Sequence, residues 1–189
     1  MPTIIVYDAC VLYPAALRDL LIRMSLEGLC QAKWSDEILD EAFENLREAR
    51  PDLDPARLAR TRQRMCDAAP DCLVHGYHDL VDSLDLPDPS DRHVLAAAIR
   101  AEAEAIVTDN LRDFPIECLL PYGIVPLSSD EFVLRVTEIA LQQVADIVER
   151  QAADLLNPPC SVEELLQKLE KQGLSRAVPN LRQVFTSKG

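Results

Sequence analysis

The sequence predicts an α/β fold built on a parallel sheet. Two short, largely apolar runs, Thr3–Tyr7 (TIIVY) and Glu104–Thr108 (EAIVT), read as strands buried on both faces. Segments with helical apolar spacing alternate with these strands, which is the pattern of a sheet whose crossovers are helices. Each run gives way to an aspartate, Asp8 or Asp109, at the strand end where open α/β sheets place ligands.

In chain order, Thr3–Tyr7 is the first strand and Asp8 ends it. That carboxylate serves a site at the strand end or caps the segment that follows. Ala15–Leu29 is helical, because Leu17, Leu20, Leu21, Met24 and Leu26 keep helical spacing and Gly28 marks the stop. Cys30–Trp34 is a short strand. Ser35 then suits the N-cap of a second helix, with Ile38, Leu39, Ala42, Phe43 and Leu46 on its apolar face. The same helix carries Asp36, Glu37, Asp40, Glu41, Glu44 and Glu48, most of which must face water. At about 100° per residue, Asp40 and Glu41 both flank the apolar face, so periodicity does not choose between them.

Arg50–Asp54 is a break, and Pro55–Ala68 resumes a helix with Arg57, Arg60, Arg62 and Arg64. These arginines either meet phosphates or pair with the acidic helix before them. Cys72–His75 reads as a short strand and His78–Ser83 as a small helix. His75, His78 and His93 have no metal-ligand spacing, so all three are read as structural.

Leu86–Ile99 is the most informative stretch. Asp88 suits an N-cap, and Pro89 suits the first helical position, where its missing N–H costs nothing. Asp91 falls in the first turn, where a carboxylate faces the positive end of the helix dipole. The small apolar run VLAAAI follows and lets the helix, expected to reach about Ala103, lie close against a sheet. Glu104–Thr108 is the second buried strand, followed by Asp109, Asn110 and Asp113. Pro115–Leu120 is a helical turn and Gly123–Leu127 a last short strand. Ser128 and Glu131 fit a capping box that opens a long helix from Asp130 to about Leu156, ended by Asn157-Pro158-Pro159. Shorter helices follow at Ser161–Gln172 and Val178–Phe185. The domain organisation expected is a core at residues 1–128 and a helical extension at 129–189.

The 189 residues are 48% hydrophobic but only 5% aromatic, so aliphatic side chains must fill the core. The six cysteines are scattered and form no C-x-x-C pair, which suits free thiols in a cytoplasmic protein. No apolar run reaches the roughly 18 residues of a membrane span, and the N-terminal residues lack the pattern of a signal peptide. The net charge of −13 opposes nucleic-acid binding through phosphates unless cations intervene. From Ser161 to Gly189 the balance reverses, with five basic and three acidic residues.

In a parallel sheet the strand C-termini share one edge. Asp8, Asp91 and the Asp109–Asp113 segment are therefore expected to converge there, and converging carboxylates repel unless a cation sits among them. Mg²⁺ or Mn²⁺ suits such oxygen donors and would activate water for phosphodiester hydrolysis.

The ordered set Asp8-Ala9-Cys10-Val11-Leu12, Ser35-x-x-Ile38-x-x-Glu41, Pro87-Asp88-Pro89-Ser90-Asp91-Arg92-His93-Val94-Leu95-Ala96-Ala97-Ala98 and Val107-Thr108-Asp109-Asn110-Leu111-Arg112-Asp113-Phe114 resembles the PIN domain. It is most similar to the VapC-like toxins of type II toxin–antitoxin pairs, over about residues 3–135. The resemblance implies a three-layer α/β/α sandwich with a central parallel sheet. It also implies metal-dependent cleavage of RNA, a cognate antitoxin that blocks the site, and a homodimer. Asp8, Glu41 and Asp91 match the first three acids of the family, which breaks the tie between Asp40 and Glu41. The family's fourth position falls on Asn110, with Asp109 and Asp113 flanking it as alternatives. Asp88, Thr108, Asn110 and Arg92 take supporting roles, with Arg92 expected to orient Asp91 or meet a phosphate. Two rival readings remain. One is an aspartyl-phosphate hydrolase using Asp8, weakened because Cys10 stands where a second aspartate is needed. The other is a catalytically degenerate PIN fold that serves as a binding or scaffold module.

Overall fold

The computed structural model describes residues 2–69 and 71–186; Met1 and residues 187–189 of the expected extension lie outside them. Four strands make one sheet in the order β2-β1-β3-β4: β1 Ile4–Tyr7, β2 Gln31–Lys33, β3 Ala105–Val107 and β4 Val125–Leu127. All neighbours are parallel, with Ile5 opposite Ala32 and Ala105, and Ala105 opposite Val125. The ladder runs on past the strands, as the Asp8 N–H donates to Val107 O and the Thr108 N–H to Leu127 O. Asp8 and Thr108 thereby become neighbours on the C-terminal edge.

The helices are α1 Ala9–Leu12, α2 Ala15–Leu26, α3 Asp36–Ala49, α4 Pro55–Ala68, α5 His78–Val81, α6 Arg92–Arg100, α7 Ile116–Leu119, α8 Ser129–Asp154, α9 Val162–Lys171 and α10 Ala177–Thr186. From β1 the chain steps one way to β2, then back past β1 to β3. Right-handed crossovers therefore put α2 on one face of the sheet and α6 on the other, and α8 packs against α2. This is the three-layer α/β/α arrangement expected from the sequence. No helix among the described residues is long and apolar enough to cross a membrane.

The small-residue run behaves as its chemistry predicts. Val94, Leu95, Ala96, Ala97 and Ala98 are all fully buried, and α6 touches both β1 and β3. Asp88 accepts from the Ser90 N–H at 2.9 Å and the Ser90 hydroxyl at 2.7 Å, capping a 3-10 turn at Pro89–Asp91. Helix α6 grows out of that turn, and it stops at Arg100 rather than Ala103 because Glu102 takes a left-handed φ of 53°.

Other boundaries differ for local reasons. The segment at Cys72–His75 is not a strand. It makes a single bridge in which Leu73 pairs with Trp34. Helix α1 was not expected; the Asp8 side chain starts it by accepting from the Ala9 N–H at 2.7 Å. The long helix α8 is broken at Ala140, whose φ of −136° and ψ of 46° are not helical. The Ser128 half of its capping box is present, with the Ser128 hydroxyl accepting from the Glu131 N–H at 3.1 Å, while Glu131 itself reaches Arg135. On α4, Arg62 pairs with Asp36 and Asp40 of α3.

The extension is fastened to the core by specific groups. The Leu17 N–H, in the first turn of α2, donates to Gln172 Oε1 at 3.0 Å, and Gln151 Nε2 donates to Ala16 O at 2.9 Å. Asp130 accepts from the N–H groups of Arg176 and Ala177, which ties the start of α8 to the start of α10.

Packing at α6 yields a stability prediction. Ala97→Leu adds volume where there is none, and should destabilise the protein by roughly 1–3 kcal/mol in urea unfolding. An unchanged midpoint would show that α6 does not lie tight on the sheet.

Candidate active site

Asp8 leaves β1 with extended backbone and is 5% exposed. Its carboxylate accepts from the Ala9 N–H at 2.7 Å, the Thr108 hydroxyl at 2.7 Å and the Cys10 thiol at 3.1 Å. It thus caps α1 and also faces the edge, so the two roles open to it coexist. Burial raises its pKa; the bonds from Thr108, Cys10 and Ala9 oppose that rise, and the charge of Glu41 adds to it.

Asp91 stands at the end of the Pro89–Asp91 turn. Burial pushes its pKa up to about 6, and the charges of Asp8, Asp88, Glu41 and Asp113 add to the rise. Its Oδ2 is buried with no hydrogen-bond partner. That atom carries a partial charge in a place that water does not reach and no donor faces, which is costly unless a proton or cation joins it.

Glu41 projects from α3 into the same field, 45% exposed, with His93 Nε2 3.7 Å from its carboxylate. The alternative, Asp40, accepts from Arg62 at 3.0 Å. The two acids that periodicity left equivalent are therefore divided by their partners.

The segment after β3 sorts its acids too. Asp109 accepts from the Ser129 N–H at 2.8 Å and the Ser129 hydroxyl at 2.9 Å. It anchors the N-terminal turn of α8. Asp113 accepts from Asn110 Nδ2 at 2.7 Å, is 16% exposed, and is one of the charges that raise the Asp91 pKa. Asn110 also donates its N–H to Thr108 Oγ1 at 3.0 Å, so one hydroxyl links Asp8 to the loop bearing Asp113.

The Arg92 guanidinium lies 3.7 Å from Asp85 Oδ1. Asp88 remains at the surface, its pKa lowered by the two bonds from Ser90.

Two contributors were not singled out as site residues from the sequence. Cys10 is a donor to Asp8, and burial followed by the Asp8 charge pushes its thiol up to about 12, which excludes a thiolate nucleophile near neutral pH. His93 was read as structural, yet it lies between Glu37 and Glu41 at 3.6 and 3.7 Å. Its position two residues after Asp91 was the only sequence signal.

Among the described residues, no three His, Cys, Asp or Glu side chains stand close enough together, as arranged, to hold a metal ion. The donor chemistry nevertheless suits a hard divalent cation: Asp8, Glu41, Asp91 and Asp113 offer carboxylate oxygens, and Asp91 Oδ2 is unpartnered.

Residues 4–112 match the family model described as PIN domain, and residues 129–183 match the one described as VapC50 C-terminal domain. A Mycobacterium tuberculosis protein named "Putative ribonuclease VapC50" is 35% identical over 112 residues, covering 59% of this chain and 65% of that protein. The chain thus spans slightly less than two thirds of that relative's length. No solved structure matches significantly.

The state of Asp91 yields a prediction about the metal-free protein. Its folded pKa of about 6 lies above the ordinary 3.8, so folding favours the protonated form. That stabilisation is complete below about pH 4 and is lost as the pH rises through about 6. At pH 7 the charged Asp91 opposes folding, and neutral Asp91→Asn should stabilise the protein. Because the group is partly solvent-screened, about 1 kcal/mol is expected, read by denaturant unfolding in a chelator. A destabilised variant would show that the negative charge is compensated within the protein.

Proposed function

Since the chain belongs to the PIN-domain family, we propose that it is a metal-dependent endoribonuclease, the toxin half of a toxin–antitoxin pair, held inactive by a cognate antitoxin. The observation that carries this reading is Asp91: a carboxylate with a buried, unpartnered oxygen, its pKa raised by burial and by four other acids. Such an arrangement is poorly designed for stability and well designed for a cation. Mg²⁺ or Mn²⁺ would be held by Asp8, Glu41, Asp91 and Asp113, and when bound it would supply Lewis-acid charge at the scissile phosphate and lower the pKa of the attacking water.

The remaining roles belong to the chain. Thr108 holds Asp8 by its hydroxyl, and Asn110 holds Asp113 by its amide. The Asp88 cap fixes the turn that presents Asp91. Arg112, 91% exposed beside Asp113, would be the cation that meets an RNA phosphate. With a net charge of −13, a cation at the acid edge is also what would let RNA approach. The protein would work in the cytoplasm, as a homodimer, on RNA of a sequence that the site residues do not specify.

The test is cleavage of single-stranded RNA with Mg²⁺, Mn²⁺ or a chelator. Wild type should cut only with metal, and Asp91→Asn and Asp113→Asn should each be slower by roughly 10²-fold or more. RNA cleavage by Asp91→Asn at the wild-type rate would sink the assignment. Failure of the wild type to bind Mn²⁺ at millimolar concentration would favour a scaffold instead. Asp109→Ala separates the acids differently: it should cost about 1 kcal/mol of stability through the lost hydrogen bonds from Ser129 at the start of α8, while leaving metal affinity close to that of wild type.

A further inference from the structure

We infer that His93 is a positioning residue that holds the Glu41 carboxylate at the acid cluster, and that Glu37, itself anchored by His78, holds His93 in place. This rests on the proposed metal-dependent reading and names how this chain prepares one of its ligands.

The geometry is a ladder of alternating imidazoles and carboxylates. His78 Nε2 lies 2.7 Å from Glu37 Oε1. The other oxygen of Glu37 lies 3.6 Å from His93 Nδ1, and His93 Nε2 lies 3.7 Å from Glu41 Oε2. Tyr77 stacks on the His78 ring at 4.3 Å between centroids, giving the outer end of the ladder a flat support. His93 Nδ1 is sealed from water and has no hydrogen bond, so the Glu37 carboxylate is the polar group it meets. Both ring nitrogens of His93 therefore face carboxylates.

Glu41 needs such a partner. It stands on the flank of α3 with 45% of its side chain exposed. A glutamate so placed has several rotamers in reach and is repelled from the cluster by Asp8 and Asp91. His93 supplies the attraction that keeps it there. It comes from α6, immediately beyond Asp91, so the element that presents one acid also secures another. Outer partners that orient ligating carboxylates commonly change metal affinity by about 10–100-fold when removed.

The experiment is Mn²⁺ titration by calorimetry on the full chain, with circular dichroism to check folding. His93→Leu, which keeps bulk and loses both nitrogens, should bind Mn²⁺ about 10-fold more weakly or worse. His93→Gln restores an N–H toward Glu41 and should stay within about threefold of wild type. If His93→Leu binds as wild type does, or His93→Gln is as weak as His93→Leu, the inference is wrong. Should His93→Leu fail to fold, Glu37→Gln carries the same test: weaker binding supports the ladder, and wild-type affinity overturns it. A wild type that does not bind Mn²⁺ overturns this inference together with the metal-dependent reading. A wild type that binds, with variants unchanged, overturns this inference alone.

Discussion

The constraint on which the structure turns is the mutual repulsion of carboxylates at the C-terminal edge of the sheet. Parallel strands bring their ends to one side, and β1 and β3 lie next to each other there. Asp8 and Thr108 are joined across that pair by a 2.7 Å hydrogen bond. With Asp8 only 5% exposed, its charge is weakly screened by water, and it is felt by Asp91 and His93. Much of the surrounding detail, including the Asp88 cap, the Asn110 amide and the His93 ring, holds acids that would otherwise separate.

The fold manages this by giving each acid a different partner. Arg62 takes Asp36 and Asp40, the Ser129 N–H and hydroxyl take Asp109, and Asn110 takes Asp113. Asp91 alone among the candidates keeps a buried oxygen with no partner. A chain rich in acids thus separates those that stabilise helices from those available for chemistry. The C-terminal helices take part, because Ser129 opens α8 and Gln172, at the end of α9, bonds to the first turn of α2. The extension is therefore wired to the loop after β3 and to the helix after Asp8, and its packing bears on the site without any of its acids joining the cluster.

The sheet, the order of the main helices and the approach of Asp91 to Asp8 were legible in the residues. Apolar runs, helical spacing and caps act over a few neighbours, so the strands at Ile4–Tyr7 and Ala105–Val107 and the caps Ser35, Asp88 and Ser161 appear where local chemistry puts them. What was illegible lay between segments. The Cys72–His75 segment has a strand-like composition but only one bridging neighbour, and α8 breaks at Ala140 without a proline or glycine to announce it. His93 carries no motif, because its partners Glu37 and Glu41 lie on another helix.

By itself the sequence determined a parallel α/β sheet with acids gathered at one edge, and Asp91 presented by its own capped turn. It did not determine which acids remain free. Asp40 and Glu41 are adjacent on one helix, and Asp109 and Asp113 stand within one turn of each other, so local chemistry treats each pair almost alike. The resemblance chose Glu41 over Asp40, but only the tertiary structure gave each acid its own partner, bringing Arg62 to Asp40, His93 to Glu41, Ser129 to Asp109 and Asn110 to Asp113. The physical reason is that the energy of a carboxylate depends on the donors and charges within a few ångströms of it. For three of these four acids the deciding partner comes from a different element of the fold.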